Sequence, residues 1–185
     1  MRGRIARALR EEFQFLNVRL IVAGILVSLL PGMNFSRLRT AIYRLAGIKI
    51  GKHSLIFGRL GFTGIRNAQR RLIIGANAMI NEEVYLDMNA DIRIGDGVSI
   101  GHHVMFITAD HEVGPSTCRA GPLRPSAIQI GAGTWIGARS TIMPGVTIGA
   151  GCVVAAGSLV SGNVPPHRVV GGVPARPLRS LPDCP

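Results

Sequence analysis

The sequence predicts a mainly β chain: a parallel β-helix preceded by helices and interrupted by one extruded loop. Three observations carry this. From Ile130 to Val164 the chain reads in sixes, with an aliphatic residue at Ile130, Ile136, Ile142, Ile148, Val154 and Val160. A period of six fits neither the 3.6 of a helix nor the alternation of a plain sheet, but it fits a short strand and a tight corner repeated around a solenoid. Small or β-branched residues recur four places after each aliphatic, at Thr134, Ser140, Val146, Cys152, Ser158 and Val164. Composition agrees: 24 glycines suit a fold with many corners, and 47% hydrophobic with only 5% aromatic residues suits a core of stacked Ile, Val and Leu.

Taken in order, the chain divides into residues 1–46, an apolar and basic helical segment; 47–164, the β-helix with a loop at 111–127; and 165–185, a C-terminal segment. Arg2, Arg4, Arg7 and Arg10 open the first part, and Leu20 to Leu30 is uncharged. As a helix that run is about 16 Å long, too short for a bilayer core that needs about 20 apolar residues. A secretory leader is discounted because no A-x-A-type site precedes Pro31 and more basic helix follows. Residues 36–46 read as a second helix, capped by Ser36 and ended by Gly47, with Leu38, Ile42, Tyr43 and Leu45 on one apolar face and Arg37, Arg39 and Arg44 elsewhere. Ile50 and Ile56 begin the repeats, residues 58–71 break the register, Ile74, Ile80 and Leu86 restore it, and after a two-residue slip it resumes at Ile94, Ile100 and Phe106. The pattern then stops from His111 to Ala127, a stretch with three prolines and no period, placed as a loop on a rigid stack, where function concentrates.

The 185-residue chain carries a net charge of +11. Such a surplus favours phosphates and acidic lipid surfaces. No basic-aromatic interleaving is present, so a nucleic-acid partner is not expected. Cys118, Cys152 and Cys184 form no metal-type or paired spacing, which suits a reducing, cytoplasmic setting.

The segments ITADH (107–111), IGAGTWIGARSTIMPGVTIG (130–149) and VPPHRVVGGVPARPLR (164–179) resemble the hexapeptide-repeat acyltransferases, most closely the maltose, galactoside and nodulation O-acetyltransferases and their polysaccharide-modifying relatives. The likeness covers about residues 47–179. It implies a left-handed β-helix, whereas the usual crossover rule alone would favour the right-handed form. It also implies a homotrimer with sites in the grooves between subunits. Residue by residue, it makes His111 the catalytic base and Asn81 a lining residue of the acceptor pocket, with Asp87 at a place where relatives often carry an acid. Trp135 falls beside the coenzyme channel, Ala138, Ala156 and Ser161 along the pantetheine arm, and Arg176 and Arg179 near the coenzyme phosphates. Gly162 stands where the family often has lysine, which removes one phosphate contact.

The implied activity is acetyl-CoA-dependent O-acetylation of a sugar or glycan hydroxyl, by direct transfer and without a metal. A hydroxyl is poorly ionised at neutral pH, and a neutral imidazole can take its proton during attack. The group that orients the ring is Asp110, Glu112 or a backbone carbonyl. Cys118 as a covalent nucleophile lacks an obvious partner, and His53, His102, His103 and His167 read as surface. Two other functions compete. A metalloenzyme like the γ-class carbonic anhydrases needs three convergent histidines, yet His102 and His103 are adjacent on an extended face and point opposite ways. A non-catalytic trimeric scaffold would bind membrane through its basic N-terminus. For the enzyme, residues 1–46 are expected to dock on the inner face of the membrane without crossing it, which would suit a lipid-linked glycan as acceptor; the other reading is a hydrophobic cap on the β-helix.

Overall fold

A computed structural model describes residues 17–64 and 67–182. Arg2, Arg4, Arg7, Arg10 and Cys184 lie outside the described residues. Two helices, α1 (Val18–Ser28) and α2 (Ser36–Leu45), precede five coils of three short strands each. The first coil holds β1 (Lys49–Ile50), β2 (Leu55–Ile56) and β3 (Gly61–Thr63), and the second β4 (Leu72–Ile74), β5 (Met79–Ile80) and β6 (Tyr85–Asp87). The third holds β7 (Ile92–Ile94), β8 (Ser99–Ile100) and β9 (Met105–Phe106). A hairpin, β10 (Ala109–Val113) and β11 (Ala120–Pro125), then leaves the body. The fourth coil is β12 (Ile128–Ile130), β13 (Trp135–Ile136) and β14 (Thr141–Ile142), and the fifth β15 (Thr147–Ile148), β16 (Val153–Val154) and β17 (Leu159–Val160). A last hairpin, β18 (Arg168–Gly172) and β19 (Ala175–Ser180), closes the far end by pairing on β16.

The coils stack into three parallel faces, β1-β4-β7-β12-β15, β2-β5-β8-β13-β16-β18 and β3-β6-β9-β14-β17. Register follows the six-residue pattern: Ile74, Ile94, Ile130 and Ile148 fall in one inward row, Ile80, Ile100, Ile136 and Val154 in the second, and Leu86, Phe106, Ile142 and Val160 in the third. All are buried. From Ile130 onward so are the residues four places later, and the polar ones among them find corner partners. Thr134 Oγ1 donates to Gly149 O (2.9 Å), and Ser140 Oγ to Ala155 O (3.0 Å). The glycine after the aliphatic is required by closeness rather than by a left-handed backbone: a Cβ on Gly131 would stand 2.4 Å from Ala150 N on the next coil. The register break in 58–71 is narrower than the sequence suggests, since Phe62 pairs in line with Leu86, and a 3-10 turn at Ala68–Arg71 takes up the excess.

The open end of a solenoid leaves backbone groups without a neighbouring coil, and these need other partners. Here α2 supplies them. Thr40 Oγ1 accepts from Ile56 N (3.1 Å), Tyr43 OH accepts from Leu60 N (3.0 Å), and Arg44 Nε donates to Ile50 O (3.1 Å). The buried residues of α2 are therefore Arg39, Thr40 and Tyr43, whereas Leu38 and Leu45 are exposed. This corrects the expected apolar face. Arg39, 1% exposed, donates to the carbonyls of Leu30 (3.2 Å), Pro31 and Asn34, closing off the end of α1 and the turn after it. Ser36 does not cap α2: Phe35, in the left-handed conformation, holds that position without a side-chain bond. α1 buries Leu20, Ala23 and Val27 and leaves Val18, Ile21, Val22, Ile25 and Leu26 exposed. No described helix is long and apolar enough to cross a membrane.

Candidate active site

His111 sits in the middle of β10, opposite Leu123 of β11, on the hairpin that replaces the corner between the third and first faces. The expected structureless loop at 111–127 is thus an antiparallel ribbon, exposed along nearly its whole length. Its ring Nδ1 lies 2.6 Å from Gly121 O. A carbonyl can only accept, so Nδ1 carries the proton and Nε2 keeps the lone pair. Among the three candidates for orienting the ring, the backbone carbonyl holds that place. Asp110 Oδ1 instead accepts from His111 N (2.7 Å), and Glu112 pairs with Arg124 (3.5 Å). At the hairpin tip, the exposed Cys118 thiol rests on Ala120 O (3.5 Å).

Two of the expected coenzyme residues lie along another edge. Ala138 and Ala156 occupy the corner between the second and third faces on successive coils, joined by Gly157 N donating to Ala138 O (2.8 Å). His102 and Asn81 occupy the same corner on the third and second coils. Asn81 Nδ2 donates to Ile100 O (3.0 Å). Trp135 stands on β13 between Ser99 and Val153, 57% exposed. At the C-terminal end Ser161 and Arg176 line one groove of about 610 Å³ with Asn163, Arg168 and Pro177. Arg179 faces Val169 in the last hairpin and is exposed. Asn81, His102, Ala138 and Ala156 therefore form one row along the second-to-third corner, whereas Ser161, between β17 and Val164, lies at the third-to-first corner that also carries the His111 hairpin.

The structure does not bring all the expected residues together within one chain. Asn81 precedes β6 and Asp87 ends it, so the two lie at opposite ends of one strand. Asp87 belongs to the His111 end, and its carboxylate is buried and hydrogen-bonded to the chain itself. The Thr63 hydroxyl also reaches Asp87 (3.3 Å) and, with Ile21, Ile25 and Phe62, lines a groove of about 510 Å³ between α1 and β3. Sequence reasoning missed both this groove and the buried role of Asp87; a lone acid in YLDMN carries no signal of either. His103 Nδ1 is paired with Glu83 Oε2 (3.0 Å) on the second-to-third corner, away from the hairpin of His111. Among the described residues, no three His, Cys, Asp or Glu side chains are grouped so as to hold a metal ion.

Five coils in hexapeptide register, with a histidine hairpin at one corner and a row of small residues at another, define a hexapeptide-repeat transferase. Residues 127–162 match the family described as bacterial transferase hexapeptide (six repeats). The chain is similar to a hexapeptide-repeat acetyltransferase of Vibrio cholerae solved with acetyl coenzyme A, at 33% identity and a TM-score of 0.79, covering 90% of this chain and 87% of that one. A maltose O-acetyltransferase from Clostridium difficile superposes at a TM-score of 0.78 and 26% identity, over 89% and 85%. The galactoside O-acetyltransferase of Escherichia coli is 36% identical over 115 residues, a segment that spans 59% of this chain but only 57% of that enzyme. The chain belongs to the hexapeptide-repeat acetyltransferase family.

Proposed function

We propose that this protein is an acyl-CoA-dependent O-acetyltransferase acting on a hydroxyl of a sugar or glycan. The observation that carries the reading is the His111 ring: Nδ1 is tied to Gly121 O, so Nε2 faces outward as a ready base. The acceptor oxygen attacks the thioester carbonyl while Nε2 takes its proton. The carbon–sulfur bond then breaks, and the imidazolium returns the proton to the leaving thiolate. Family membership and the acetyl-CoA-bound relative support acetyl-CoA as donor, and the galactoside and maltose enzymes support a sugar acceptor. No step is assigned to a metal. Arg176 and Arg179 hold the coenzyme phosphates, Ser161, Ala156 and Ala138 let the pantetheine arm lie against the corner, Trp135 borders the channel, and Asn81 meets the acceptor.

A homotrimer completes this site. His111 and the Ala138–Ala156 row occupy different corners of one chain, so a groove between two copies can join the hairpin of one to the coenzyme edge of the next. The protein is placed in the cytoplasm, peripheral to the inner face of the membrane, with the outer face of α1 as the contact and a lipid-linked glycan as a fitting acceptor. The test is incubation with acetyl-CoA and a panel of glycan acceptors, with light scattering of the active fraction. Acetyl esters on an acceptor hydroxyl and a mass of three chains are expected. Absence of both transfer and acetyl-CoA hydrolysis above background would refute the activity, and an active species of one chain, 19.7 kDa, would refute the shared site.

A further inference from the structure

We propose that Asp87 is the positioning residue for His111, holding the root of the hairpin that carries the imidazole; the role rests on His111 being the base. Asp87 is the last residue of β6 and only 6% exposed. Its Oδ2 accepts from two successive backbone amides, Thr108 N and Ala109 N, each at 3.1 Å. Ala109 is the first residue of β10, two before His111. Its Oδ1 accepts from Asn89 Nδ2 (2.6 Å), Asn89 N (3.3 Å) and Thr63 Oγ1 (3.3 Å). The main chain joins in: Thr108 Oγ1 donates to Asp87 O (2.6 Å) and accepts from Ala90 N (3.0 Å). Thr108 O in turn accepts from Ser126 N (2.6 Å), which closes the base of the hairpin. Both legs of the ribbon are therefore tied, through Thr108, to one buried carboxylate.

Two arguments turn this geometry into a role. Five donors occupy a group that has about four lone-pair sites, so the carboxylate has nothing left to offer a substrate hydroxyl. A buried charge is tolerated only when so satisfied, which makes this acid a committed structural anion rather than a mobile contact. The rest of the hairpin is exposed and stands off the β-helix body, so its placement is decided at its base. An amide at 87 could present only one accepting oxygen and would turn an NH₂ group toward one set of donors. Loss of the anchor leaves the His111–Gly121 bond inside the ribbon intact while letting the ribbon shift as a unit. Misplacement of a catalytic group by about 1 Å can cost about 10²-fold in rate.

The experiment compares wild type, Asp87→Ala, Asp87→Asn and His111→Ala as full-length chains. It measures acetyl transfer to an acceptor, acetyl-CoA hydrolysis without acceptor, and hydrogen exchange of the backbone amides. Asp87→Ala is expected to lower kcat about 10²-fold for both acceptor and water, with both KM values held within about twofold. Amides of 109–125 should exchange faster while those of the coils do not change, and Asp87→Asn should fall between. A raised acceptor KM with kcat preserved would make Asp87 a substrate contact and overturn the proposal, as would unchanged hairpin exchange. If Asp87→Ala does not fold, Thr108→Val, which deletes the bridge to Asp87 O and Ala90 N, must loosen the same amides. Should His111→Ala keep full activity, the base assignment fails, and the exchange data still decide whether Asp87 holds the ribbon.

Discussion

The imidazole Nδ1 of His111 and the carbonyl oxygen of Gly121 face each other 2.6 Å apart across the hairpin. The bond fixes one tautomer and directs Nε2 away from the ribbon, which is the arrangement a general base needs. His111→Ala should therefore lower kcat by about 10²–10⁴-fold and leave acetyl-CoA binding close to normal, because the residues proposed to hold the coenzyme lie outside the β10–β11 hairpin. Steady-state kinetics alongside calorimetric titration decides this: a kcat within about threefold of wild type removes His111 from the mechanism.

How far the sequence disclosed this site follows from burial. The inward rows were legible because each aliphatic repeats at a fixed interval and each is buried, as at Ile136 and Ile142. The hairpin was not, because its strands have no buried side to write a period: Val113 is 85% exposed. The charge of Arg39 argues for an exposed position, yet it is buried because the carbonyls of the turn after α1, at Leu30, Pro31 and Asn34, take its guanidinium as their donor. In the sequence Asp87 is only an acid at a place where similar proteins carry one, and only the fold sets the Thr108 and Ala109 amides against it.

Trp135 gives a second prediction. The indole is 57% exposed on β13, adjacent to the corner of Ala138. Covering it with a coenzyme arm changes its hydration and so its emission. It is the only tryptophan, so acetyl-CoA should shift fluorescence saturably with one source for the signal. Unaltered emission at coenzyme concentrations that saturate binding by calorimetry would assign the indole to a contact between chains.

Tyr43 predicts an alkaline limit to stability. Its phenol is pushed above its ordinary value of 10.0 chiefly by burial, partly offset by the Leu60 backbone bond and by the charges of Arg59 and Arg39. The unfolded chain releases this proton first, so the stabilisation is complete below the unfolded value and disappears as pH rises toward the folded one. Tyr43→Phe should flatten the decline in denaturation midpoint above about pH 10. It should also cost about 1–3 kcal/mol at neutral pH, since Leu60 N loses its acceptor. Parallel alkaline slopes for the two proteins would exclude this source.

The last prediction concerns α1. Its inner side packs through Leu20, Ala23 and Val27, and its outer side leaves Ile21, Val22, Ile25 and Leu26 exposed, continuing to Leu29 (76% exposed), Met33 and Phe35. A contiguous apolar surface of this kind needs a covering. Arg19 and Arg37 flank it on a chain of net charge +11, a combination suited to an anionic bilayer, where each basic residue adds about 1 kcal/mol. α2 is not part of that surface in the way its sequence suggests, because Thr40, Tyr43 and Arg44 are engaged in closing the first coil. Deleting residues 1–46 would therefore open the β-helix and confound any binding assay. Point charges on the outer face avoid this: Ile21→Glu and Ile25→Glu together replace exposed side chains and leave the packed side of α1 alone. Full-length wild type should co-sediment with vesicles containing phosphatidylglycerol and bind less at high salt, and a trimer would gain further from three anchors held at once. The double variant should remain in the supernatant with its acetyl-CoA hydrolysis and oligomeric mass unchanged. Equal sedimentation of the two proteins would show that the bilayer is not what covers α1, and a loss of trimer in the variant would assign the face to contact between chains instead.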